Sequence, residues 1–491
     1  MKNIIIKTLL LGFICFNSCT EDFEVPNENQ PDFLKVYSSG ADVKNVAAGL
    51  YYTFYIPNNY VITMMATAAA DNLSCASANF GMRGMSAEPR LAWDNTPGYA
   101  YESNTSYTFN KMYSVINTAS LVLKAMDNGL QIGKDGVDNN LVRAFARFNM
   151  GITYGTLALT FDKTFIVDEN ITLENASAAD AKTYSEVAAQ AILYLDEVIA
   201  LSGNNSFSIP ADWMGTAGNM PSGELKQYAN SWAARILSNL PRNSTELAAV
   251  NWQDVKKYAD AGITSDHNVV LDGWKKWANY AGYYLRAPGW AVADMYVVNK
   301  LDPTMPAHWD DDLVALPAST NPNADKRIET DFEYKSSHIN PDRGIYHWSN
   351  YRFSRLDVIA GSQTGPMPEF MLAENDMYKA EAAAYTGDLS GAAAIINAGT
   401  RTTRGQLPSV AANLPDIKEA IHHERVIEMI MTGSGLQFFE MRKRNLLQKG
   451  TPLHWPLPAK TLETFGVPKP FYTFGGPSGQ DGINGSNGGW R

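Results

Sequence analysis

The residues of this sequence that most suggest metal binding or catalysis are two adjacent histidines followed by a glutamate and an arginine, at His422-His423-Glu424-Arg425. A zinc protease of the H-E-x-x-H type needs two histidines four residues apart on one helical face, and Ile427 occupies the second ligand position here. Adjacent side chains on a helix point about 100° apart, which suits chelation of one ion poorly. The spacing therefore argues against a zinc site.

Other catalytic and metal-binding patterns are missing or incomplete. The sequence contains no G-x-S-x-G elbow, no Walker loop and no G-x-G-x-x-G. The acidic run at 310–312 lacks the alternating spacing and closing Glu of an EF-hand, and the run at 135–139 is interpreted as a loop. The carboxylate pair of a glycoside hydrolase can be neither located nor excluded from the sequence. Catalysis is thus unsupported, and no cofactor or metal is predicted.

A third group of residues suggests binding. The 36 residues from Trp274 to Trp309 contain eight aromatic residues, all Trp or Tyr, whereas aromatic residues make up 11% of the whole chain. Trp and Tyr combine a flat apolar ring with a polar group, which suits partial exposure. The alternative is that these rings pack the core, since Trp274, Trp277 and Tyr284 have near-helical spacing. The sequence does not show which of these rings pack the core and which contact a ligand.

Composition limits the classes of protein that could position such residues. The chain has 491 residues, of which 45% are hydrophobic and 19% charged, and three cysteines, which excludes a disordered polymer, a fibre and a disulfide-rich mini-protein. The formal net charge is −11, with no long basic run. Since phosphate-binding proteins cluster Lys and Arg, nucleic acid is not expected as a partner.

The N-terminus has the features of a secretory signal. Residues 1–18 combine two lysines with an apolar stretch too short to span a membrane. A small residue directly before Cys19 resembles a bacterial lipoprotein signal, in which Cys19 becomes the acylated N-terminus; an ordinary signal peptide cleaved nearby is the alternative. Residues 19–31 are acidic and contain proline, as is typical of a tether. We expect 32–491 to form a single domain.

Helical periodicity dominates that domain. One apolar stripe contains Gly151 and Gly155, which would allow a neighbouring helix to approach closely, and Thr183 and Glu186 have the spacing of a capping box. Further helices are predicted over 107–126, 224–240, 252–263, 367–385, 390–401, 417–431 and 436–447. Strand-like alternation is scarce. We therefore predict a mostly α-helical fold, with helical blocks at about 100–265 and 365–447 and a proline-punctuated, loop-rich lobe at about 266–365.

The C-terminal tail from Gly466 is rich in glycine and proline, a composition that suggests disorder. It also contains Phe471, Tyr472, Phe474 and Trp490. These rings suggest instead that the tail is held against the body of the protein.

The C-terminal helices carry a more specific pattern. It resembles the "AEA…GD…A…lN…vR", "I..ER..E…G.R..DL.R" and "P.P" segments of the SusD/RagB family; the matching residues are Met371-Leu-Ala-Glu374, Tyr385-Thr-Gly387-Asp388, Ala392, Ile396-Asn397, Arg401-Thr-Thr-Arg404, Ile421-His-His-Glu424-Arg425-Val-Ile-Glu428, Gly435, Phe438-Phe439-Glu440-Met-Arg442-Lys-Arg444 and Trp455-Pro-Leu-Pro458. Upstream, 110–117 and 143–155 are similar to the family's N-terminal helices. Two departures are Leu436-Gln437, where the family usually has an Arg after the Gly, and Glu440 in place of Asp.

The resemblance implies a TPR-like helical scaffold packed against a less regular lobe. It also implies a non-enzymatic lipoprotein, anchored to the outer membrane through Cys19 and exposed at the cell surface. Such a protein binds an oligosaccharide and delivers it to a SusC-like TonB-dependent transporter. The alternatives are a RagB-like oligopeptide carrier, a surface glycoside hydrolase and a TPR-like adaptor. Glu424 lies on an apolar stripe and needs a partner, for which Arg442 and Arg444 are the candidates.

The same resemblance places the ligand platform in the aromatic-rich segment, together with an N-terminal loop at 79–101. We expect ligand contacts from six residues: Trp93, Trp277, Tyr283, Trp309, Trp274 and Arg83.

Overall fold

Helices make up most of the secondary structure of the chain. The computed structural model describes residues 36–75, 79–172, 176–287, 289–308, 316–336, 348–476 and 485–490. Its strands are short and form antiparallel pairs. The prediction of a mostly helical fold is confirmed.

The helices of the first half are, in chain order, α1 Gly40–Ala48, α2 Leu50–Asn58, α3 Val61–Ala69, α4 Met82–Ser86, α5 Ser103–Asp127, α6 Asn139–Thr160, α7 Tyr184–Asn204, α8 Ala211–Met214, α9 Ser222–Asn239, α10 Ser244–Ala248 and α11 Trp252–Asp260. Those of the second half are α12 Tyr280–Leu285, α13 Met295–Leu301, α14 Arg327–Thr330, α15 Asp357–Ser362, α16 Leu372–Tyr385, α17 Leu389–Ala398, α18 Thr400–Thr403, α19 Leu414–Ile427, α20 Leu436–Lys443 and α21 Ala459–Thr464. The lobe predicted to be loop-rich thus contains several short elements.

Three of the five described strand pairs join consecutive strands, and two join strands that are far apart in sequence. The described strands are β1 Leu73–Cys75, β2 Lys163–Thr164, β3 Lys182–Thr183, β4 Ser208–Ile209, β5 Met220–Pro221, β6 His267–Asp272, β7 Ala291–Ala293, β8 Phe332–Tyr334, β9 Tyr351–Phe353 and β10 Thr364–Phe370. They pair as β1–β7, β2–β3, β4–β5, β6–β10 and β8–β9. The longest pair, β6–β10, places Thr364 opposite Asp272 at one end. This end supports the loop that begins at Asp272.

Two short-range predictions about the scaffold are confirmed. A Cβ at Gly151 would lie 2.8 Å from the Leu195 side chain on α7, and one at Gly155 would overlap Ile236 on α9. Glycine therefore lets α6 pack closely against both neighbours. The capping box also forms, because Glu186 accepts a 2.8 Å hydrogen bond from the Thr183 backbone N–H.

Two predictions about the helices differ from the structure. The helix predicted over 367–385 begins only at Leu372, because 364–370 forms β10, where two prolines disfavour a helix interior. In the other case, α1–α3 precede the predicted helical blocks. Every residue of α3 is buried, so this helix has no solvent-facing side.

The described parts of the C-terminal tail are held against the body. The Tyr472 hydroxyl donates to Asp162 at 3.0 Å, and the Trp490 indole N–H donates to Asp71 at 2.8 Å. The Phe474 carbonyl accepts from the Trp93 backbone N–H at 3.0 Å. The aromatic residues of the tail thus indicated its position better than its glycine content did.

Candidate functional site

The adjacent histidines are buried and committed to structural hydrogen bonds. His422 Nε2 lies 2.5 Å from the Tyr296 hydroxyl, and His423 Nε2 lies 2.8 Å from Asp325. Burial lowers the pKa of His422 to about 4, so its imidazole is neutral. Among the residues that the structure describes, no group of three or more His, Cys, Asp or Glu is arranged to hold a metal ion.

The predicted partner of Glu424 is wrong. Its carboxylate accepts two hydrogen bonds from Arg327, at 2.7 and 2.8 Å, on the short helix α14. Arg442 instead donates to backbone carbonyls, including that of Leu159 at 2.9 Å, and Arg444 lies beside Glu440. Glu424 and Arg327 are both almost fully buried, so this pair belongs to the scaffold.

Eight half-buried or exposed rings form a continuous surface that we call the ring platform. Neighbouring ring centroids are 4.6–6.0 Å apart. Most neighbours meet edge-on or tilted, as aromatic pairs prefer. The platform consists of Tyr60, Phe80, Tyr107, Trp274, Tyr280, Tyr283, Tyr284 and Trp290.

Trp274 is the most exposed ring of the platform. Its side chain is 44% exposed, and its centroid lies 5.1 Å from that of Tyr283. The backbone at Trp274 has a φ of +69°, a left-handed conformation that bulky residues rarely adopt. Such strain is kept where function requires it more often than elsewhere. The backbone therefore displays this indole at a conformational cost.

The loop that displays Trp274 is held by one carboxylate. An oxygen of Asp272 accepts hydrogen bonds from the backbone N–H groups of Lys275 and Lys276, both at 3.0 Å, and of Trp277 at 3.2 Å. The Gly273 N–H donates to the Gln363 carbonyl at 2.7 Å, which ties the loop to the start of β10. These bonds fix the backbone on both sides of Trp274.

Trp277 anchors the same loop from below. It is 5% exposed and packs against three tyrosines of α2, Tyr51, Tyr52 and Tyr55, at centroid distances of 5.6–6.2 Å. A Cβ at Gly215 would lie 2.7 Å from the indole, so glycine is needed beneath it. Because its ring is buried, we propose no ligand contact for Trp277.

The other predicted site residues lie in different surroundings. Trp93 is 1% exposed and lies under the C-terminal tail, so its ring offers no face to a ligand. Tyr283 is half-buried within the platform. Arg83 is half-buried on α4, three residues after Phe80. Trp309 and the acidic run at 310–312 lie outside the described residues.

The sequence did not single out Tyr60, Phe80 and Tyr107 as site residues. Phe80 stacks on Trp290 at 5.7 Å with an interplanar angle of 25°, and it too has a positive φ, +54°. Tyr60 touches both Phe80 and Tyr280, and so joins α3 to the platform. These contacts join residues up to 220 positions apart in the sequence. Of the three residues, only Phe80 lies in a segment, 79–101, that the sequence placed at the ligand platform.

The polar groups of the platform suit hydrogen bonding to a ligand. Burial raises the pKa of Tyr60 and Tyr107 above the ordinary value, and neighbouring phenols add to the effect. Both hydroxyls are therefore neutral and able to donate as well as accept. Within the described residues, no hydrogen-bond partner occupies the hydroxyls of Tyr60, Tyr107, Tyr280, Tyr283 and Tyr284.

Three cavities lie within the helical scaffold. Cavities of about 140, 410 and 340 Å³ are lined by scaffold residues, including Glu381, Tyr184 and Arg401 respectively. No residue of the ring platform lines any of these three.

The fold has clear relatives among solved structures. A SusD superfamily protein from Bacteroides vulgatus matches with a TM-score of 0.57 at 15% identity, over 83% of this chain and 88% of the other. A SusD-like carbohydrate binding protein from the same organism matches with a TM-score of 0.55 at 17% identity, over 83% of each chain. A SusD superfamily protein from Bacteroides thetaiotaomicron matches with a TM-score of 0.57 at 13% identity, over 87% and 93%.

These similarities show that the chain has the SusD-like fold, which confirms at the level of the fold the resemblance noted in the sequence. No protein-family model and no curated protein matches this sequence. Within its described residues, no helix combines the length and the apolar character needed to cross a membrane.

Proposed function

We propose that this protein is a cell-surface glycan-binding lipoprotein that captures an oligosaccharide on its ring platform and delivers it to a SusC-like TonB-dependent transporter. The observation that carries the proposal is the 44% exposure of the strained Trp274 at one end of a continuous row of rings. Pyranose rings present flat C–H faces that stack on exposed indole and phenol rings. The neighbouring hydroxyls are free to bond the polar edges of the sugar.

The carboxylates near the platform favour binding over catalysis. Asp272 is committed to three backbone N–H groups of its own loop. Glu369 has a pKa raised to about 7 by burial, but its side chain is 1% exposed and bonded to Asn59, out of reach of a sugar. Neither group is placed as a general acid across a glycosidic bond.

The SusD-like fold supports the same role, since one solved relative is described as carbohydrate binding. The lipid anchor at Cys19 and the transporter partner follow from the sequence resemblance alone. Cys19 lies outside the described residues.

Affinity electrophoresis of the full chain, purified in detergent, against a panel of polysaccharides tests the binding role. We expect retardation by at least one glycan, without release of reducing sugar. Hydrolysis of any member would identify a glycoside hydrolase instead. Retardation by none, together with binding of an oligopeptide pool, would support the peptide-carrier alternative.

Purification from native outer membranes tests the delivery role. We expect a large membrane β-barrel to be recovered with the tagged chain, and Cys19→Ser to move the chain out of the membrane fraction. A tagged chain recovered without any barrel, after gentle detergent extraction, would contradict delivery to a transporter.

A further inference from the structure

The segments that build the ring platform carry positive charge in an acidic protein. Four segments supply the eight rings: 50–70, 79–86, 103–114 and 273–290. Together they contain five basic residues and no Asp or Glu, although the whole chain has 51 acidic residues and a net charge of −11. The basic residues are Arg83, Lys111, Lys275, Lys276 and Arg286. Three acids adjoin the ends of these segments: Asp71 and Glu102 are buried and paired with Arg90 and Lys460, and Asp272 is bound to backbone N–H groups. The segments themselves therefore carry a net positive charge in an acidic chain.

Arg286 is the basic residue most closely attached to the rings. Its guanidinium carbon lies 5.3 Å from the centroid of Tyr283, and a Cβ at Gly361 would lie 3.1 Å from the same carbon. Its Nε is buried without a hydrogen-bond partner. Within the described residues, the guanidinium has neither a hydrogen bond nor an ion pair. No described group occupies its terminal N–H donors, so these donors can bind a ligand anion.

The remaining cations are also unpaired with carboxylates. Lys111 is exposed, with its ammonium 5.9 Å from the Tyr107 centroid, and Lys275 is exposed beside Trp274. Lys276 donates to the Asp212 carbonyl at 2.9 Å, on the Trp277 side of the loop. The one carboxylate at this edge, Asp272, is turned to backbone N–H groups. Within the described residues, none of the five basic residues forms an ion pair with a carboxylate.

We propose that the ligand of the ring platform is an anionic glycan, whose carboxylate or sulfate groups are bound by Arg286 while its sugar faces stack on Trp274 and Tyr283. The proposal rests on the glycan-binding function proposed above and specifies the class of glycan. Arginine is suited to this role because its planar fork of N–H donors matches the oxygens of both anions. Lys275, Lys111 and Arg83 raise the local concentration of a polyanion and steer it to the rings.

The test compares matched glycans that differ in charge. Polygalacturonate is compared with its carboxyl-reduced form, and chondroitin sulfate with chemically desulfated chondroitin, by affinity electrophoresis and calorimetry of the full chain. We expect the anionic member of at least one pair to bind about 10-fold more tightly or better, with an affinity that falls as salt rises. The first pair reports a carboxylate requirement and the second a sulfate requirement.

Variants assign the preference to the platform. Arg286→Gln is expected to weaken binding of the anionic member about 10-fold while leaving the neutral member unchanged. Trp274→Ala is expected to weaken both. Lys134→Gln, at an exposed lysine of another surface, is the matched control and should change neither.

Each other outcome overturns a defined part of the account. Equal affinity for charged and neutral members, still sensitive to Trp274→Ala, would overturn the anionic ligand and leave the glycan-binding function intact. Binding of none of the four glycans would overturn both. Binding of poly-glutamate through Arg286, with no binding of any glycan, would show that the platform binds an acidic peptide. It would overturn both the anionic glycan and the glycan-binding function.

Discussion

At the scale of single residues, two tryptophans three positions apart serve opposite purposes. Trp274 is exposed and held in a left-handed backbone conformation, whereas Trp277 is buried among the tyrosines of α2. The sequence could not distinguish them, because both have the same residue type and lie in one loop. The difference in exposure between the two indoles depends on the backbone conformation of the loop, which the hydrogen bonds to Asp272 hold in place.

The first prediction concerns the stability of variants at these two positions. Trp277→Ala removes a buried indole and is expected to lower the free energy of unfolding by about 3–5 kcal/mol. Trp274→Ala removes an exposed ring and is expected to change it by about 0.5 kcal/mol or less. Urea denaturation followed by circular dichroism measures both. Equal losses would show that Trp274 is a core residue.

A second prediction tests the backbone strain at Trp274. Glycine adopts a φ of +69° without a steric penalty, whereas alanine does not. Trp274→Gly should therefore be more stable than Trp274→Ala by about 1 kcal/mol, although both lack the ring. If the alanine variant proves the more stable in the same denaturation experiment, the left-handed conformation is not the native one.

A third prediction concerns the pH dependence of stability. Burial raises the pKa of Glu369 to about 7, against the opposing effects of the Arg235 charge and of the hydrogen bond from Asn59. Since the folded pKa lies above the unfolded value near 4.5, the contribution of Glu369 is fully present below about pH 4.5 and is lost as pH rises to about 7. The loss is on the order of 3 kcal/mol.

Glu369→Gln removes this titration. Asn58 Oδ1 has no hydrogen-bond partner, so a flipped Asn58 amide could accept from the new Gln amide. The stability of the variant relative to the wild type should rise between pH 4.5 and 7, as measured by urea denaturation at each pH. Glu463→Gln, at an exposed carboxylate, should leave the profile unchanged. Parallel profiles for Glu369→Gln and the wild type would contradict the raised pKa.

At the scale of elements, the accuracy of the sequence predictions follows the range of the interactions. The Thr183–Glu186 capping box and the Gly151 and Gly155 packing positions were predictable, because they depend on spacings of three or four residues. The partner of Glu424 was not, since Arg327 lies 97 residues away on a four-residue helix. The start of α16 was misplaced because an apolar strand preceding a helix shows no break in hydrophobicity.

The candidate site shows the same limit. The enrichment in Trp and Tyr located the segment at 274–309, and its first part, 274–290, supplies five of the eight rings of the platform. The rings of Tyr60, Phe80 and Tyr107 reach the platform only through tertiary packing. Trp93 shows the converse case: an aromatic residue in the expected loop is covered by a tail whose position no local pattern encodes.

A fourth prediction addresses the loop between β6 and α12. Asp272→Ala removes the acceptor of three backbone N–H groups, so the loop should open more often while the scaffold remains folded. Trypsin should then cleave after Lys275 or Lys276 several-fold faster than in the wild type. Asp212→Ala, at a nearby exposed carboxylate, is the control. Unchanged cleavage would show that the loop is held by its packing alone.

At the scale of the whole molecule, a helical scaffold supports a surface of aromatic rings whose segments carry basic residues. The buried pair of Arg327 with Glu424 joins α14 to α19, 97 residues away, and the buried pair of Arg425 with Glu440 joins α19 to the next helix, α20. Removing one member of such a pair leaves a buried charge, so these residues hold the scaffold together and take no part in binding.

The central claim is that the ring platform holds the glycan, and calorimetric titration of a glycan that the full chain binds tests it most directly. The Trp274→Ala/Tyr283→Ala double variant removes two neighbouring platform rings, and Val137→Ala/Leu193→Ala trims two exposed apolar side chains outside the platform. We predict a loss of affinity of about 10-fold or more for the first variant and none for the second, with both folded as judged by circular dichroism. Unchanged affinity in the folded Trp274→Ala/Tyr283→Ala variant would contradict the account.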